Sequence, residues 1–235
     1  MTAGAAKPRG PLAAPDCQPA SGGSAKAPRR WSSEVWACLV LPAILALGGC
    51  AAFEKPIRPT VYDFGPGVQA APIPATAQLP ALTLGEVEAS GALDNTAVLY
   101  RLVYANAQQL LPYAQARWSM PPAQLLRQRL RESLAQRRSV LNPDDGNLAS
   151  AGMALRVELE EFSQLFDAAD RSAGLLRLRV TLVQNGVGGE RLLGQRLVVV
   201  RRVAPTADAA GGVQALADAA AAAAEEVESW LMQFR

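Results

Sequence analysis

The chain has 235 residues, with 23 Lys and Arg against 21 Asp and Glu, three cysteines and no histidine. A formal net charge of +2 is too small for a protein that neutralises phosphates along a nucleic-acid groove. Without histidine, His-based catalytic dyads and His–metal sites are excluded. An odd number of cysteines cannot close a complete disulfide framework. The length fits one domain with residues left over.

The first 49 residues have the composition of a leader that is removed. Residues 1–28 are a low-complexity run in which 17 positions are Ala, Gly or Pro. The basic pair Arg29-Arg30 follows, and then Val35–Leu47, in which twelve of thirteen positions are apolar. A basic stretch followed by a short apolar core is typical of a secretory signal peptide. The core is too short for a membrane-spanning helix, which needs about 20 apolar residues.

The apolar core ends in Leu47-Gly48-Gly49-Cys50, which resembles the lipobox of bacterial lipoproteins. That resemblance implies diacylglycerol on the Cys50 thiol, cleavage between Gly49 and Cys50, and an acyl chain on the new N-terminus. No other cofactor and no metal are expected. Several acyl chains give stable anchoring, at about 0.8 kcal/mol for each buried CH₂. The next residue, Ala51, is not the Asp that tends to retain such proteins in the inner membrane, so the resemblance favours the periplasmic face of the outer membrane.

Cleavage defines three segments of the chain. Residues 1–49 are the leader, residues 50–80 are the lipidated N-terminus with a short strand and a Pro-rich linker, and residues 81–235 are one periplasmic domain. The 186 residues that remain carry 18 Lys and Arg against 19 Asp and Glu, a net charge of −1. Cys17 and Cys38 leave with the leader, so the domain has no disulfide and depends on its hydrophobic core.

The folded part is predicted to be α+β, a mostly antiparallel sheet with two main helices packed on it. The predicted elements, in chain order, are a short strand Val61–Phe64, strands Leu82–Ala89, Val98–Tyr104 and Gln109–Tyr113, a helix Pro121–Arg138, strands Ala154–Phe162, Leu175–Gln184 and Leu192–Val203, and a helix Gly212–Phe234. The long strands alternate apolar and polar residues, which indicates one buried face and one wet face. The C-terminal helix repeats apolar residues at spacings of three and four, which predicts packing on its own sheet.

Charged residues on the predicted elements indicate ion pairs and a basic row. If the first two long strands pair antiparallel, Glu158 and Glu160 lie across from Arg177 and Arg179. On the first long helix, Arg127 and Arg131 cluster with Arg138 beside the apolar stripe. This row would contact anionic headgroups or an acidic partner. The alternative is an ordinary cationic surface, because the chain uses 20 Arg and only 3 Lys.

The chain carries none of the usual catalytic or nucleotide-binding motifs. It has no Gly-x-Ser-x-Gly, no P-loop, no Gly-x-Gly-x-x-Gly after a strand and no cysteine pair of the metal-binding kind. Asp144 and Asp145 lie in a predicted turn without the further ligands of a calcium loop. The sequence therefore favours a protein that is not an enzyme.

A set of short motifs, in order along residues 47–235, resembles the auxiliary lipoproteins of ABC-type lipid transporters, the group that contains paraquat-inducible protein C. The motifs are Tyr62-Asp63-Phe64, Leu82–Val87, Val98-Leu99-Tyr100-Arg101, Tyr113, Trp118, Pro121-Pro122 before Leu125-Leu126, and Trp230-Leu231. The long leader and the Pro/Ala-rich stretch Gly65–Pro80 depart from the family pattern.

The resemblance implies a place in a lipid-trafficking assembly. Its expected partners are a substrate-binding protein of the mammalian-cell-entry (MCE) class, an ABC permease and an ATPase, and a homo-oligomer is possible. The residues we expect to contact a partner or lipid are Tyr100, Arg101, Tyr113, Trp118, Arg127 and Arg131. The alternative for four of them is packing in the core or at the sheet edge: Tyr100, Arg101, Tyr113 and Trp118. The alternative function is another outer-membrane lipoprotein, a pilotin or an assembly factor for a secretin or a β-barrel.

Overall fold

The computed structural model describes residues 58–67, 79–144, 152–186 and 188–234. Residues from Pro56 to Arg235 form one compact unit. The predicted signal peptide, its cleavage site and Cys50 lie outside the described ranges, as does most of the predicted Pro-rich linker.

The described residues form eight strands and three helices. The strands are β1 Thr60–Tyr62, β2 Leu79–Ala89, β3 Ala97–Leu102, β4 Leu111–Trp118, β5 Arg138–Leu141, β6 Met153–Ala168, β7 Arg171–Gly186 and β8 Gly189–Val203. The helices are α1 Val103–Asn106, α2 Pro122–Ala135 and α3 Ala209–Leu231. The α+β class is confirmed, with the two long helices where the apolar periodicity predicted them.

All eight strands belong to one open sheet, and its longest pairings are antiparallel. β7 pairs with β6 on one edge and with β8 on the other, over almost their full lengths. The opposite edge of β6 is shared, because β2 pairs in parallel with its first half and β3 with its second half. β5 extends the sheet beyond β2, while β4 and then β1 extend it beyond β3. The sheet therefore combines long antiparallel hairpins with short parallel strands.

One face of this sheet is buried beneath α2 and α3. Alternate residues of the long strands, such as Leu155, Val157, Leu178 and Val180, are almost fully inaccessible to solvent and join the helices in a single core. Helix α3 contacts β7 and β8, whereas α2 contacts β2 and β5, and the two helices touch each other. Neither of the two long helices, α2 and α3, packs on the other face. The arrangement is a two-layer fold with one sheet face left open.

Small residues allow α3 to approach the sheet closely. A Cβ atom at Gly174 of β7 would lie 2.8 Å from backbone atoms of Ala215 and Leu216, nearer than real Cβ contacts allow. Because those atoms belong to the helix backbone, the helix itself would have to move.

We therefore expect Gly174→Ala to destabilise the protein by about 1–3 kcal/mol through overpacking. Gly85→Ala is the matched control, because its Cβ would meet only a Leu155 carbonyl oxygen at 3.8 Å. Urea unfolding of both variants measures the difference. Equal stabilities of the two variants would contradict the close approach of α3.

Asp208 caps the N-terminus of α3. Its carboxylate accepts hydrogen bonds from the Gly211 backbone N–H at 2.8 Å and from the Thr206 hydroxyl at 2.7 Å. The Gly211 hydrogen bond, followed by that from Thr206, holds the pKa of Asp208 below its ordinary value. A lowered native pKa stabilises the fold above the unfolded-state pKa of about 3.9, and this contribution is lost as the pH falls through the native pKa.

We expect Asp208→Ala to cost about 1 kcal/mol of unfolding free energy at neutral pH. Asp208→Asn keeps the cap and is expected to retain most of this stability. Because Asn does not ionise, the contribution of the cap to the unfolding free energy should no longer change with pH. Urea unfolding of both variants between pH 3 and pH 7 provides the measurement. A loss for Asp208→Ala that stays constant across this range would contradict the role of the charged carboxylate.

The boundaries of several elements differ from the sequence prediction. Helix α2 ends at Ala135, and Arg138, predicted in the helix, begins β5 instead. The Arg138 backbone pairs with Leu79 of β2, so sheet pairing overrides the helical pattern there. The predicted strand Val98–Tyr104 ends at Leu102, where α1 begins, and the return strand occupies Leu111–Trp118.

Candidate interaction surface

Tyr100 and Tyr113 form an aromatic pair on the helix-covered side of the sheet. Their ring centroids lie 4.6 Å apart, and the Tyr100 ring also meets Phe166 edge-on at 5.9 Å. Strands β3 and β4 bring them together, because Tyr100 lies opposite Leu111 in the antiparallel register and Tyr113 follows two residues later. Both tyrosines are half-buried, so each keeps part of its ring accessible.

The Tyr113 hydroxyl fixes this pair to the core. It donates a 2.8 Å hydrogen bond to Oε1 of Gln164, whose Nε2 donates to the Ser172 hydroxyl at 2.8 Å. Burial raises the pKa of Tyr113 above its ordinary value, and the neighbouring Tyr100 and Asp208 raise it further. The hydroxyl therefore stays protonated and remains a donor, which ties the aromatic pair to Gln164 of β6 and, through it, to Ser172 of β7.

Arg101 lies on the opposite, open face of the sheet from Tyr100, because successive strand residues point to opposite faces. Its guanidinium forms an ion pair with Glu161 at 3.1 Å. It also donates hydrogen bonds to the backbone oxygens of Ala107 and Gln108. The predicted contact residues Tyr100 and Arg101 thus belong to different surfaces.

Ion pairs continue from Arg101 across the open face. Arg179 contacts Glu160 at 2.6 Å and Glu158 at 3.8 Å, and Arg177 contacts Glu160 at 3.8 Å. The register places Glu158 opposite Arg179 and Glu161 opposite Arg177, because a bulge follows Leu159. The predicted pairing of these acids with these arginines is confirmed. Such half-exposed pairs contribute little to stability one by one, about 0–1 kcal/mol each.

Apolar side chains of β8 flank the ion pairs on this face. Val199 is 52% exposed, and Leu197 and Val203 beside it are exposed as well. β8 pairs only with β7 among the described strands, which leaves its second edge open. A long edge strand with exposed apolar residues is a typical site for pairing with another chain. The open sheet face, defined here by Arg101, Arg177, Arg179, Leu197 and Val199, therefore combines charge with an apolar margin.

Trp118, predicted as a contact residue, belongs to the core instead. Its side chain is only 2% exposed. The indole ring meets Phe64 edge-on at 5.5 Å and Phe162 at 5.6 Å. Because β4 turns this residue toward the helices, Trp118 cannot reach a partner directly.

The predicted basic row is divided in the structure. Arg127 donates to the Gly85 backbone oxygen, and Arg131 donates to the Val140 backbone oxygen, at 3.1 and 3.2 Å. Both also contact the Asn142 side chain, so they join α2 to the β2–β5 edge of the sheet. Arg138 is buried in β5, and burial lowers its pKa, which Glu228 partly offsets. The three arginines therefore do not form one exposed cationic surface.

The sequence did not indicate that three residues belong to this region. Gln164 and Ser172 are buried polar residues in strands whose alternation predicted only a core face and a wet face. Phe166 lies beyond the predicted end of its strand. The exposed apolar margin did have a sequence indication, because apolar residues such as Val199 occupy positions of β8 that alternation assigns to the solvent-exposed face.

The described part of the chain offers no metal centre and no spanning helix. Within those ranges, no three His, Cys, Asp or Glu side chains come close enough together to bind a metal ion. No helix among the described residues has the length and apolar character needed to cross a membrane.

Comparison with protein families gives one match over most of the chain. Residues 62–228 match the family described as ABC-type transport auxiliary lipoprotein component. Comparison with curated protein sequences gives no match.

Solved structures share the fold at low sequence identity. A crystal structure of a Xanthomonas campestris protein of the DUF330 family superposes with a TM-score of 0.60 at 19% identity, over 74% of this chain and 95% of that chain. The crystal structure of an uncharacterized protein gives a TM-score of 0.56 at 17% identity, over 74% of this chain and 99% of that chain. These likenesses support the two-layer architecture.

Proposed function

Because the chain belongs to the family of ABC-type transport auxiliary lipoprotein components, we propose that it is a lipid-anchored periplasmic subunit of a lipid transport system. In this proposal its partners are an MCE-domain substrate-binding protein, an ABC permease and an ATPase. Its own contribution is to hold the assembly at a membrane. The family is a transport component, and the proposed role requires no catalytic residue.

The observation that carries the docking role is the open sheet face. In a two-layer fold, a sheet face without helices meets solvent or another protein. Here that face presents the exposed Leu197 and Val199 next to half-exposed ion pairs, and β8 offers an open edge. A partner strand that added to β8 would cover the apolar margin and gain main-chain hydrogen bonds. We propose this face, with Arg101 at its far side, as the surface that receives the MCE-domain protein.

The half-exposed tyrosines form a second contact region in this proposal. Tyr100 and Tyr113 present rings whose positions are fixed by the Gln164 hydrogen bond. Rigid, amphipathic aromatic side chains contribute contact area at low entropic cost. They lie on the other side of β3 from Arg101, so a partner that wraps the first half of β4, where no described strand pairs on the outer side, would contact both.

Photo-crosslinking in intact cells tests the partner and the surface together. A photoreactive amino acid replaces Val199 on the open sheet face, and a control replaces Gln128, an exposed residue of α2. We expect Val199 to give adducts that contain an MCE-domain protein and Gln128 to give few. Adducts of Val199 with a secretin or a β-barrel assembly protein would favour a pilotin or assembly factor instead.

The proposed location is the periplasmic face of the outer membrane. The support is Ala51 after the lipidated Cys50, a position where Asp would favour inner-membrane retention. Separation of inner and outer membranes on a sucrose density gradient tests the location. Recovery of the protein with the outer-membrane fraction is expected, and recovery with the inner-membrane fraction would contradict it.

A further inference from the structure

The two ends of the sheet differ, because the chain enters the sheet at β1 from one of them. β1 pairs in parallel with the last residues of β4, with Thr60 opposite Ala116 and Tyr62 opposite Trp118. Because β4 starts at Leu111, next to the β3–β4 turn, a chain that runs parallel to it arrives from the side of that turn. The exposed residues Arg58 and Pro59 precede β1 on this side. The end of the sheet that carries the β3–β4 turn is called the entry end below.

The entry end also carries a group of exposed apolar residues. Tyr104 is 53% exposed, and Val103 beside it is exposed too, both on α1 within the β3–β4 turn. Val203, the last residue of β8, is 80% exposed and lies opposite Ala173, next to the β6–β7 turn. Leu102, Phe166 and Ser172 lie at one level across β3, β6 and β7. Val103, Tyr104 and Val203 therefore project from the same end.

The β3–β4 turn is held in a fixed shape. Arg101 donates to the backbone oxygens of Ala107 and Gln108, at 3.4 and 3.3 Å, and the Asn106 side chain accepts from the Gln108 N–H at 3.1 Å. Exposed apolar side chains on a fixed turn bind a surface without a large cost of ordering. Tyrosine is enriched where protein meets the membrane–water interface.

Chain length limits how far the entry end can lie from the lipid anchor. Nine residues separate Cys50 from Thr60, and these ten residue steps give a reach of at most about 33–36 Å. The entry end lies about 17 Å from the level of Thr60, which is the length of the five residue steps from Ala97 to Leu102. A nine-residue segment spans this distance easily in the direction from which β1 arrives.

The opposite end of the sheet is harder to bring to the membrane. From Phe166 to Met153, β6 is about 43 Å long, so the opposite end lies about 26 Å from the level of Thr60. To anchor that end, the segment would have to reverse direction at Thr60 and use most of its maximum reach. The exposed Leu192 near the β7–β8 turn marks this opposite end.

We infer that the entry end, with Val103, Tyr104 and Val203, rests on the surface of the bilayer that holds the lipid anchor. This inference rests on the anchor at Cys50, which is part of the proposed function. It adds an orientation, in which the strands of the long hairpins point away from the membrane and the β7–β8 turn faces the periplasm. The exposed Arg171 and Arg202 at the same end suit contact with phosphate headgroups.

Fluorescence quenching by brominated lipid tests this orientation in the full-length lipidated protein. Tyr104→Trp places an indole at the entry end, and Leu192→Trp places one at the opposite end as the matched control. The native Trp118 and Trp230 are buried and give a common background. The vesicles contain phosphatidylethanolamine in excess over phosphatidylglycerol, with part of the lipid carrying brominated acyl chains.

We expect bromolipid to quench the added emission of Tyr104→Trp at least several-fold more than that of Leu192→Trp. Flotation of the same samples with vesicles distinguishes the two ways in which this can fail. If the protein floats and Tyr104→Trp is quenched no more than Leu192→Trp, the orientation is wrong while the anchor stands. If the lipid-modified protein does not float, the anchor is wrong, and the orientation falls with it.

Discussion

Cys50→Ala is expected to release the protein from the membrane almost completely. The predicted anchor consists of acyl chains on this residue alone, and each buried CH₂ contributes about 0.8 kcal/mol to membrane binding. The described domain has no helix that could replace it as a spanning segment. The variant should therefore lose incorporation of labelled fatty acid and move from the membrane pellet to the soluble fraction.

Cys17→Ala is the matched control for this prediction. Cys17 lies in the low-complexity leader, ahead of the apolar core, and does not follow a lipobox pattern. Its replacement should leave both fatty-acid labelling and membrane fractionation unchanged. Labelling of Cys50→Ala at the level of the unaltered protein would show that the lipobox interpretation is wrong.

Trp118→Ala is expected to destabilise the protein by about 3–5 kcal/mol, the cost of removing a buried aromatic side chain from a core. The indole is 2% exposed and packs against Phe64 and Phe162, with ring centroids 5.5 and 5.6 Å away. Phe64 follows β1, so the cavity would also loosen the segment through which the chain enters the sheet. Urea unfolding followed by circular dichroism measures the change.

Tyr104→Ala is the control for the Trp118 variant, because Tyr104 is exposed and should change stability by no more than about 0.5 kcal/mol. The comparison also decides between the two interpretations of Trp118 that the sequence left open. A Trp118→Ala protein with unaltered stability but without its partners would show that the tryptophan is a contact residue after all.

The long hairpins could be predicted because their signals are local. Alternation of apolar and charged residues over β6 and β7 indicates the buried face and places the acids Glu158 and Glu160 across from the arginines of β7, and a glycine-rich turn joins β7 to β8. The C-terminal helix follows from apolar residues at helical spacing. Its start at Ala209 was missed because the side chain of Asp208 supplies the cap four residues before the predicted start at Gly212.

The short strands could not be predicted because their partners are distant in sequence. β5 exists because Arg138 pairs with Leu79, about sixty residues earlier, and nothing within the helical pattern that ends α2 indicates this pairing. The sharing of one β6 edge by β2 and β3 is equally non-local. Sequence alternation shows which residues share a face of a strand, but it does not show which strands are neighbours.

The sequence also did not show that the candidate contact residues lie on different surfaces of the fold. Tyr100 and Arg101 are adjacent in a motif, yet alternation along β3 sends them to opposite faces, where one meets Tyr113 and the other Glu161. Arg127 and Arg131 share a helix face as predicted, but β2 and Asn142 supply acceptors that draw them into the fold. The open sheet face depends on the position of β8 at the edge of the sheet, and the sequence of β8 does not indicate that position.

Affinity purification from envelopes in mild detergent tests the central claim most directly. The full-length protein carries a C-terminal tag, and the Cys50→Ala variant measures the background of the unanchored domain. We predict that the lipidated protein co-purifies with an ABC permease, its ATPase and an MCE-domain protein well above that background. Recovery of a secretin or a β-barrel in their place would contradict the account.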